Sequence, residues 1–289
     1  MKVNQRIKRV VQLIGLLGIS LMLSSCSMRF TYNQLDWLLP WYIDDYVSVD
    51  AHQKPKLNHQ INQFLSWHRS QQLPAYASFV KKLKSSIQSS PSKQQIETLL
   101  YELEDLIDAL YLGVGQHFVR MLTSLSTEQK EEFLHNLTEK NIDYAEDYVN
   151  VGESAARKMG LEKITDIYSD WLGELTSDQT KMIQRFAQRT QWMAPDFLHA
   201  KQKRTEAMRR VLFQAEGIDQ NQDDLLTLFA NRKVFWNNRL QQKFNENRTL
   251  LEEHLKQIFA SLTPQQTKHL LDKLSEYRQD FLELSTQTP

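Results

Sequence analysis

The chain has 289 residues, with 35 lysines and arginines against 35 aspartates and glutamates. Removing residues 1–25 takes away four basic residues, so the net charge becomes 31 − 35 = −4. That charge excludes the broad basic field with which proteins bind nucleic acid. One cysteine, 8 glycines and 7 prolines predict long helices with few turns and a core without internal disulfides.

The first segment has the parts of a secretory signal. Basic residues at positions 2, 6, 8 and 9 precede an apolar run over residues 10–22. This run is shorter than the roughly 20 apolar residues of a membrane-spanning helix. The next four residues resemble a bacterial lipobox and are Leu23, Ser24, Ser25 and Cys26. The resemblance implies a cleaved lipoprotein signal peptide over residues 1–25.

Cys26 is the predicted lipidation site, because a thiolate is well suited to accept a diacylglyceryl group. By resemblance to bacterial lipoproteins, Cys26 would also carry an amide-linked acyl chain such as palmitate, and we predict no other cofactor. Ser27 stands where an aspartate would retain a lipoprotein in the inner membrane. We therefore expect a Gram-negative outer-membrane protein that faces the periplasm. A plain secretory signal and an uncleaved short anchor are the alternatives.

Residues 26–49 form an aromatic-rich segment directly after this anchor. It contains Trp37, Trp41 and Tyr42, with the two tryptophans at a helical i, i+4 spacing. Tryptophan and tyrosine prefer the edge of a bilayer, so one interpretation places the segment at the membrane surface. The other interpretation packs these rings on the helical bundle. The segment's aspartates do not match an EF-hand loop, and no metal site is predicted.

Apolar residues recur at helical spacing from residue 50 to about 284, and no stretch shows the period of two that marks a strand. One face carries Leu57, Ile61, Phe64, Leu65 and His68. We predict an all-α fold, an elongated antiparallel bundle of about seven to nine helices over residues 50–284. A helix stop is expected at Gly217, a helix break at Pro195, and a frayed tail over residues 285–289.

Three segments of the form Leu-[Ser/Thr]-x-x-Gln mark predicted helix starts. Their hydroxyl and amide residues are Ser126 with Gln129, Thr176 with Gln179, and Thr263 with Gln266. In a capping box the hydroxyl and the glutamine each accept from the other residue's backbone N–H. We interpret them as caps at junctions between helices. They also resemble the Leu-Thr-x-x-Gln motif of Spy/CpxP-type periplasmic chaperones, which are small all-helical cradles.

Two blocks resemble an uncharacterised proteobacterial lipoprotein family, a domain of unknown function. They are residues 32–47 and Trp67-His68-Arg69, the latter followed by residues 72–76. Residues 171–176 with Gln179 look like a third block. The resemblance covers most of the chain after the signal. It implies an envelope lipoprotein and transfers no catalytic residue.

Trp67-His68-Arg69 is the most enzyme-like cluster, with His68 as a general base and Arg69 as an anion ligand. His68 falls on an apolar face without a nearby nucleophile, which favours a buried, hydrogen-bonded histidine. Arg69 is expected to pair with Asp44 or Asp45 if they meet.

Two other patterns carry weaker signals. Glu132 and His135 have the spacing of one di-iron ligand pair, but such bundles need a second pair and two more glutamates. A stretch of basic residues is interpreted as the solvated face of a helix. The alternative is a groove that binds an acidic envelope polymer. The residues of this stretch are Lys201, Lys203, Arg204, Arg209 and Arg210.

The leading hypothesis is a non-enzymatic scaffold or assembly factor that binds another envelope protein and attaches to the membrane through its lipid. The candidate interaction residues are Trp37, Trp41, Tyr42, Trp67, His68 and Arg69. The alternatives are a Spy-like chaperone for unfolded clients and an envelope enzyme using His68. An exposed concave apolar surface would favour the chaperone, and a closed polar pocket with His68 and carboxylates would favour the enzyme.

Overall fold

The computed structural model describes residues 25–214 and 218–287, and no strand occurs in these ranges. The predicted signal peptide up to Ser24, including Leu23, and the helix stop at Gly217 lie outside the described residues. The α-helices are α1 (Ser25–Tyr32), α2 (Leu35–Asp44), α3 (Lys54–Trp67), α4 (Leu73–Gln88), α5 (Lys93–Thr123), α6 (Thr127–Tyr148), α7 (Gly152–Leu172), α8 (Ser177–Arg189), α9 (Ala194–Phe213), α10 (Ile218–Ala230), α11 (Asn238–Ala260) and α12 (Pro264–Ser285).

The all-α prediction is confirmed, and the described helices outnumber the seven to nine that were predicted. Two of the additional helices, α1 and α2, lie in the aromatic segment that was not assigned to the bundle. The other ten, α3–α12, exceed the upper end of the predicted range by one. Pro195 occupies the first turn of α9 and separates it from α8, because proline cannot donate the backbone hydrogen bond that a continuing helix needs.

Neighbouring helices run antiparallel, as the short junctions predicted. Between α4 and α12, Tyr76 lies against Phe281 while Lys84 bonds to Ser275, so residue numbers rise on one helix as they fall on the other. The same reversal holds for α8 and α11, where Phe186 stacks on His254 and Gln179 bonds to Ser261.

The buried apolar side chains form two cores. The first core is built around α3, α5, α6, α9 and α10, and includes Val47, Leu57, Ile61, Leu65, Leu122, Phe133, Leu134, Met208 and Leu225. The second core joins α4, α7, α8, α11 and α12, and includes Val80, Ile87, Leu172, Ile183, Ile258, Leu270 and Leu274. The sequence face Leu57–Ile61–Leu65 is therefore an inner face of α3.

A π-helical turn, His68–Gln72, joins α3 to α4 and carries the chain from the first core to the second. The helical backbone is continuous, with His68 at φ −62° and ψ −42°. Pro74 lies in the first turn of α4 without ending the rod. A π turn holds one extra residue, so both Arg69 and Gln72 face inward and are buried. Such turns often mark functional positions in helices.

Candidate functional site

The start of the described chain is fixed to the last helix. The Arg29 guanidinium on α1 bonds to Asp280 on α12 at 2.9 Å and also pairs with Glu283. The Asp280 side chain is almost fully buried. Burial raises the pKa of the Asp280 carboxyl, and the Arg29 charge opposes that rise. The helix that contains Cys26 is therefore docked on the bundle.

Helix α2 of the aromatic segment has two apolar faces. Leu35, Leu39 and Ile43 pack against the first core. Trp37 is 67% exposed, Trp41 is 50% exposed, and both project away from the core. The segment thus packs on the bundle with one face and presents aromatic rings to the surroundings with the other.

His68 lies among aromatic rings at the π turn. A hydrogen bond of 2.7 Å joins His68 Nδ1 to the Tyr32 hydroxyl on α1. Phe64 and Tyr76 flank the ring, with centroids 5.8 and 5.6 Å away. Burial, with a contribution from Arg69, lowers the pKa of His68 to about 4. The imidazole is therefore neutral at pH 7 and ties the N-terminal segment to α3.

Arg69 does not bond to Asp44 or Asp45, the two carboxylates that the sequence offered as possible partners. Its guanidinium donates to Asn33 Oδ1 at 3.0 Å and to the Leu284 carbonyl at 3.2 Å. The last carbonyls of a helix lack intrahelical partners and attract cations, so the end of α12 is a suitable partner for this guanidinium. Arg69 thereby holds the segment after α1 and the end of α12 together.

Trp67 packs on a glycine of α5. A Cβ at Gly113 would lie far inside van der Waals contact with the Trp67 ring. Gly113 is thus required for close helix packing and belongs to no phosphate loop. Of the six candidate interaction residues, Trp37, Trp41 and Tyr42 are exposed. The other three connect elements within the protein.

The three predicted boxes each have both hydrogen bonds of a capping box. Two of them meet in the second core. Gln179 Nε2 donates to Gln266 Oε1 at 2.9 Å, and Gln266 Nε2 donates to Gln179 Oε1 at 2.8 Å. Gln179 Nε2 also donates to the Ser261 carbonyl, and Gln266 Nε2 donates to the Glu174 carbonyl. Each of these carbonyls lies two residues before the N-cap residue of the other box. Both amides are buried, and they connect the α7–α8 and α11–α12 junctions.

The third box has a matching partner that sequence reasoning missed. Gln129 exchanges two amide hydrogen bonds with Gln53, at 2.7 and 2.8 Å. Gln53 forms its own box with Asp50, whose side chain accepts from the Gln53 N–H at 2.9 Å. Gln129 Nε2 also reaches the Ser48 carbonyl, again two residues before the partner's cap. The sequence pattern that could have revealed this box is Val49-Asp50-x-x-Gln53. It has valine in place of the leucine and aspartate in place of the hydroxyl residue.

An apolar cavity of about 650 Å³ lies at the first core, with α2 forming one wall, and is partly open to solvent. Its walls come from α2, α3 and α5, with further residues from α6, α9 and α10. No aspartate, glutamate, lysine or arginine lines it. His68 lies at its wall, so the pocket beside the histidine is apolar and lacks the carboxylates that the enzyme hypothesis requires.

The weaker sequence signals have structural partners. Glu132 accepts from the Ser48 hydroxyl at 2.6 Å and positions the loop before α3. In the basic stretch, Arg204 donates to backbone carbonyls after α10 and Arg209 pairs with Glu131.

No group of three or more potential metal ligands occurs among the described residues. No described helix is long and apolar enough to cross a membrane.

The fold and site define a two-core helical protein with an exposed aromatic helix and an apolar cavity beneath it. The chain belongs to a family of unknown function, DUF6279, whose model matches residues 45–241. No curated protein and no solved structure matches the chain. The matched region holds most of the cavity walls and three of the four paired boxes, and ends within α11.

Proposed function

We propose that this protein is a lipid-anchored, non-enzymatic binding protein of the Gram-negative outer membrane. Diacylglyceryl and amide-linked acyl chains on Cys26 hold it to the membrane, and the bundle faces the periplasm as a scaffold or assembly factor. The observation that carries this proposal is the exposed aromatic face of α2, formed by Trp37, Trp41 and Tyr42. It follows closely after Cys26 and sits on a helix packed into the core.

Two features support contact between this face and the bilayer. Tryptophan and tyrosine rings gain from the polar–apolar boundary of a membrane. The face is also held in place, because Arg29 and Arg69 fix the flanking chain to α12. A fixed aromatic face beside an acylated residue would set the orientation of the whole bundle. Its other surfaces would then be available to a protein partner.

The enzyme hypothesis lacks support at His68. Its Nδ1 is bonded to Tyr32, and its pKa is lowered to about 4 by burial. A general base for neutral pH needs a pKa closer to 7 and a nearby reacting group.

The chaperone alternative is weakened at its motif. The amides of Gln179 and Gln266 bond to each other inside the core, so they are not free to bind clients. The cavity is an apolar concave surface that is partly open to solvent, and it is the one observation that favours this alternative.

Lipid attachment is tested by palmitate labelling of the wild type and of Cys26→Ala. We expect the variant to lose the label and to accumulate as the precursor. Sucrose-gradient fractionation of the wild type should recover it with outer membranes. A processed, membrane-retained Cys26→Ala protein would contradict the anchor, and wild type in the inner-membrane fraction would contradict the sorting.

The scaffold role is tested by crosslinking in intact cells followed by mass spectrometry. A photoreactive residue at exposed Met159 or Ile167 on α7 should capture one or a few reproducible envelope proteins. The same residue type at buried Leu172 is the background control. Capture of many unrelated proteins, increasing under conditions that unfold them, would favour the chaperone instead.

A further inference from the structure

The cavity at the first core is large for a gap between packed helices. Interiors are packed as closely as organic crystals, with few voids larger than a water molecule. At about 650 Å³, this cavity falls in the range of about 300–1,000 Å³ typical of small-molecule sites. It therefore has the dimensions of a ligand site, and nothing in the anchor or the scaffold role requires it.

The lining restricts the chemistry of the ligand. The apolar residues are Leu35, Leu39, Ile43, Leu57, Ile61, Phe64, Leu65, Leu110, Val114, Phe118, Met121, Phe133, Leu137, Met208 and Phe229, and the polar-tipped ones are Tyr42, Tyr46, Gln60, His68, Tyr111 and His117. Without a charged side chain in this wall, a carboxylate or phosphate would lose its hydration with no compensating partner.

Several polar atoms at the wall have partners within the protein. His68 Nδ1 bonds to the Tyr32 hydroxyl, and His117 Nδ1 lies 3.3 Å from Gln60 Oε1. The Tyr42 and Tyr46 hydroxyls bond to each other at 3.1 Å. Burial lowers the pKa of both histidines, so neither ring supplies a charge at neutral pH. The interior thus suits an uncharged hydrocarbon with few or no hydrogen-bonding groups.

The cavity opens between α2 and α5. The most exposed residues of its wall are Tyr42 at 55%, Tyr111 at 43% and Val114 at 39%. The first belongs to α2 and directly follows Trp41 on the aromatic face, and the other two belong to α5. A long ligand can place its apolar part inside and leave a polar head at this opening.

We propose that this cavity binds a single acyl chain, inserted between α2 and α5 with its polar head outside. The hydrocarbon matches the uncharged wall, and the opening lies beside the face assigned to the bilayer. The inference rests on the proposed function only for where the chain comes from. A phospholipid, a free fatty acid and the protein's own amide-linked chain share this chemistry, and the test separates them.

The test uses the full-length protein in cells grown on a fatty acid with a diazirine near its methyl end. After irradiation, the protein is purified under denaturing conditions and its adducts are mapped by mass spectrometry. We expect adducts on interior residues such as Phe118, Met121 and Met208. The adduct mass identifies a phospholipid or a free fatty acid, whereas the protein's own chain links the interior peptide to Cys26.

A matched pair of variants tests whether the ligand enters by the proposed opening. Val114→Trp adds a bulky ring at the opening, and Leu112→Trp adds the same ring two residues away on an exposed position outside the wall. Interior adducts should fall to the unirradiated level in Val114→Trp and persist in Leu112→Trp. Melting temperatures of both variants check that each is folded.

The location of the adducts separates this inference from the proposed function. Adducts on Trp37 and Trp41 without interior adducts would leave the membrane face intact and overturn the cavity proposal. Interior adducts without any on the two tryptophans would support the cavity proposal and would not contradict the membrane face, because a diazirine near the methyl end lies deeper than the boundary at which these rings are placed. Interior adducts that persist in a folded Val114→Trp protein would also overturn the proposed route.

Discussion

His68 is a half-buried neutral histidine, and this makes stability depend on pH. Its pKa is lowered from 6.5 to about 4 in the folded protein, so between these values the unfolded chain binds a proton that the folded chain does not. The stability that the neutral ring contributes is fully present above pH 6.5 and is lost as the pH drops toward about 4. His254, whose pKa burial also lowers to about 4, adds to the same loss.

Replacing His68 should therefore flatten this acid dependence. Urea unfolding at pH 7.5 and at pH 4.5 should show a smaller difference for His68→Gln than for wild type, by at most about 3 kcal/mol. The control His135→Gln changes an exposed histidine and should keep the wild-type difference. An unchanged pH dependence in His68→Gln would show that the ring is not held neutral.

Gly113 tests the packing of α3 against α5. Gly113→Ala should lower the free energy of unfolding by about 1–3 kcal/mol, because the new Cβ overlaps the Trp67 ring. Gly160→Ala is the matched control, since a Cβ there meets nothing within 4 Å in the middle of α7. That change should stabilise the protein by about 0.5–1 kcal/mol. Equal effects in thermal denaturation would contradict the assigned Trp67 packing.

At the scale of elements, the paired boxes do more than cap single helices. Gln179→Ala removes one box and leaves the buried Gln266 amide without its partner, so the expected cost is about 2–4 kcal/mol. Gln95→Ala is the control, because Gln95 completes a box with Ser92 on the surface. It should cost about 0.5–2 kcal/mol.

A double-mutant cycle measures the pairing itself. Gln179→Ala and Gln266→Ala together should cost less than the sum of the two single changes, with a coupling of about 0.5–3 kcal/mol. Additive costs in chemical denaturation would mean that the two boxes act as independent caps. The same design applies to Gln53 and Gln129 in the first core.

The local features of these elements were predictable from sequence, and their pairing was not. Hydroxyl–glutamine spacing indicates a cap because both hydrogen bonds lie within four residues of chain. Gln179 and Gln266 are 87 residues apart, and Arg69 and the Leu284 carbonyl are 215 apart, so tertiary packing alone brings them together. For the same reason the sequence could not show whether Arg69 meets Asp44 or Asp45, and in the structure its guanidinium bonds to other partners.

For the whole molecule, apolar periodicity predicted helices and their inner faces. It did not predict the division into two cores, since an inner face does not specify its partner. The cavity could not be predicted from the sequence either. Phe64, Phe118 and Met208 show the same helical spacing whether they fill a core or line a cavity. The aromatic face of α2 was visible as composition, and the fold adds that Trp37 and Trp41 remain exposed.

The central claim is that this aromatic face contacts the bilayer, and tryptophan quenching tests it most directly. The lipidated protein is reconstituted in vesicles whose lipids carry bromine on their acyl chains. Wild type should be quenched, and Trp37→Phe/Trp41→Phe should lose most of that quenching. The control Trp192→Phe/Trp236→Phe, which keeps both α2 tryptophans, should retain it. Quenching that is equal in wild type and in Trp37→Phe/Trp41→Phe would contradict the account.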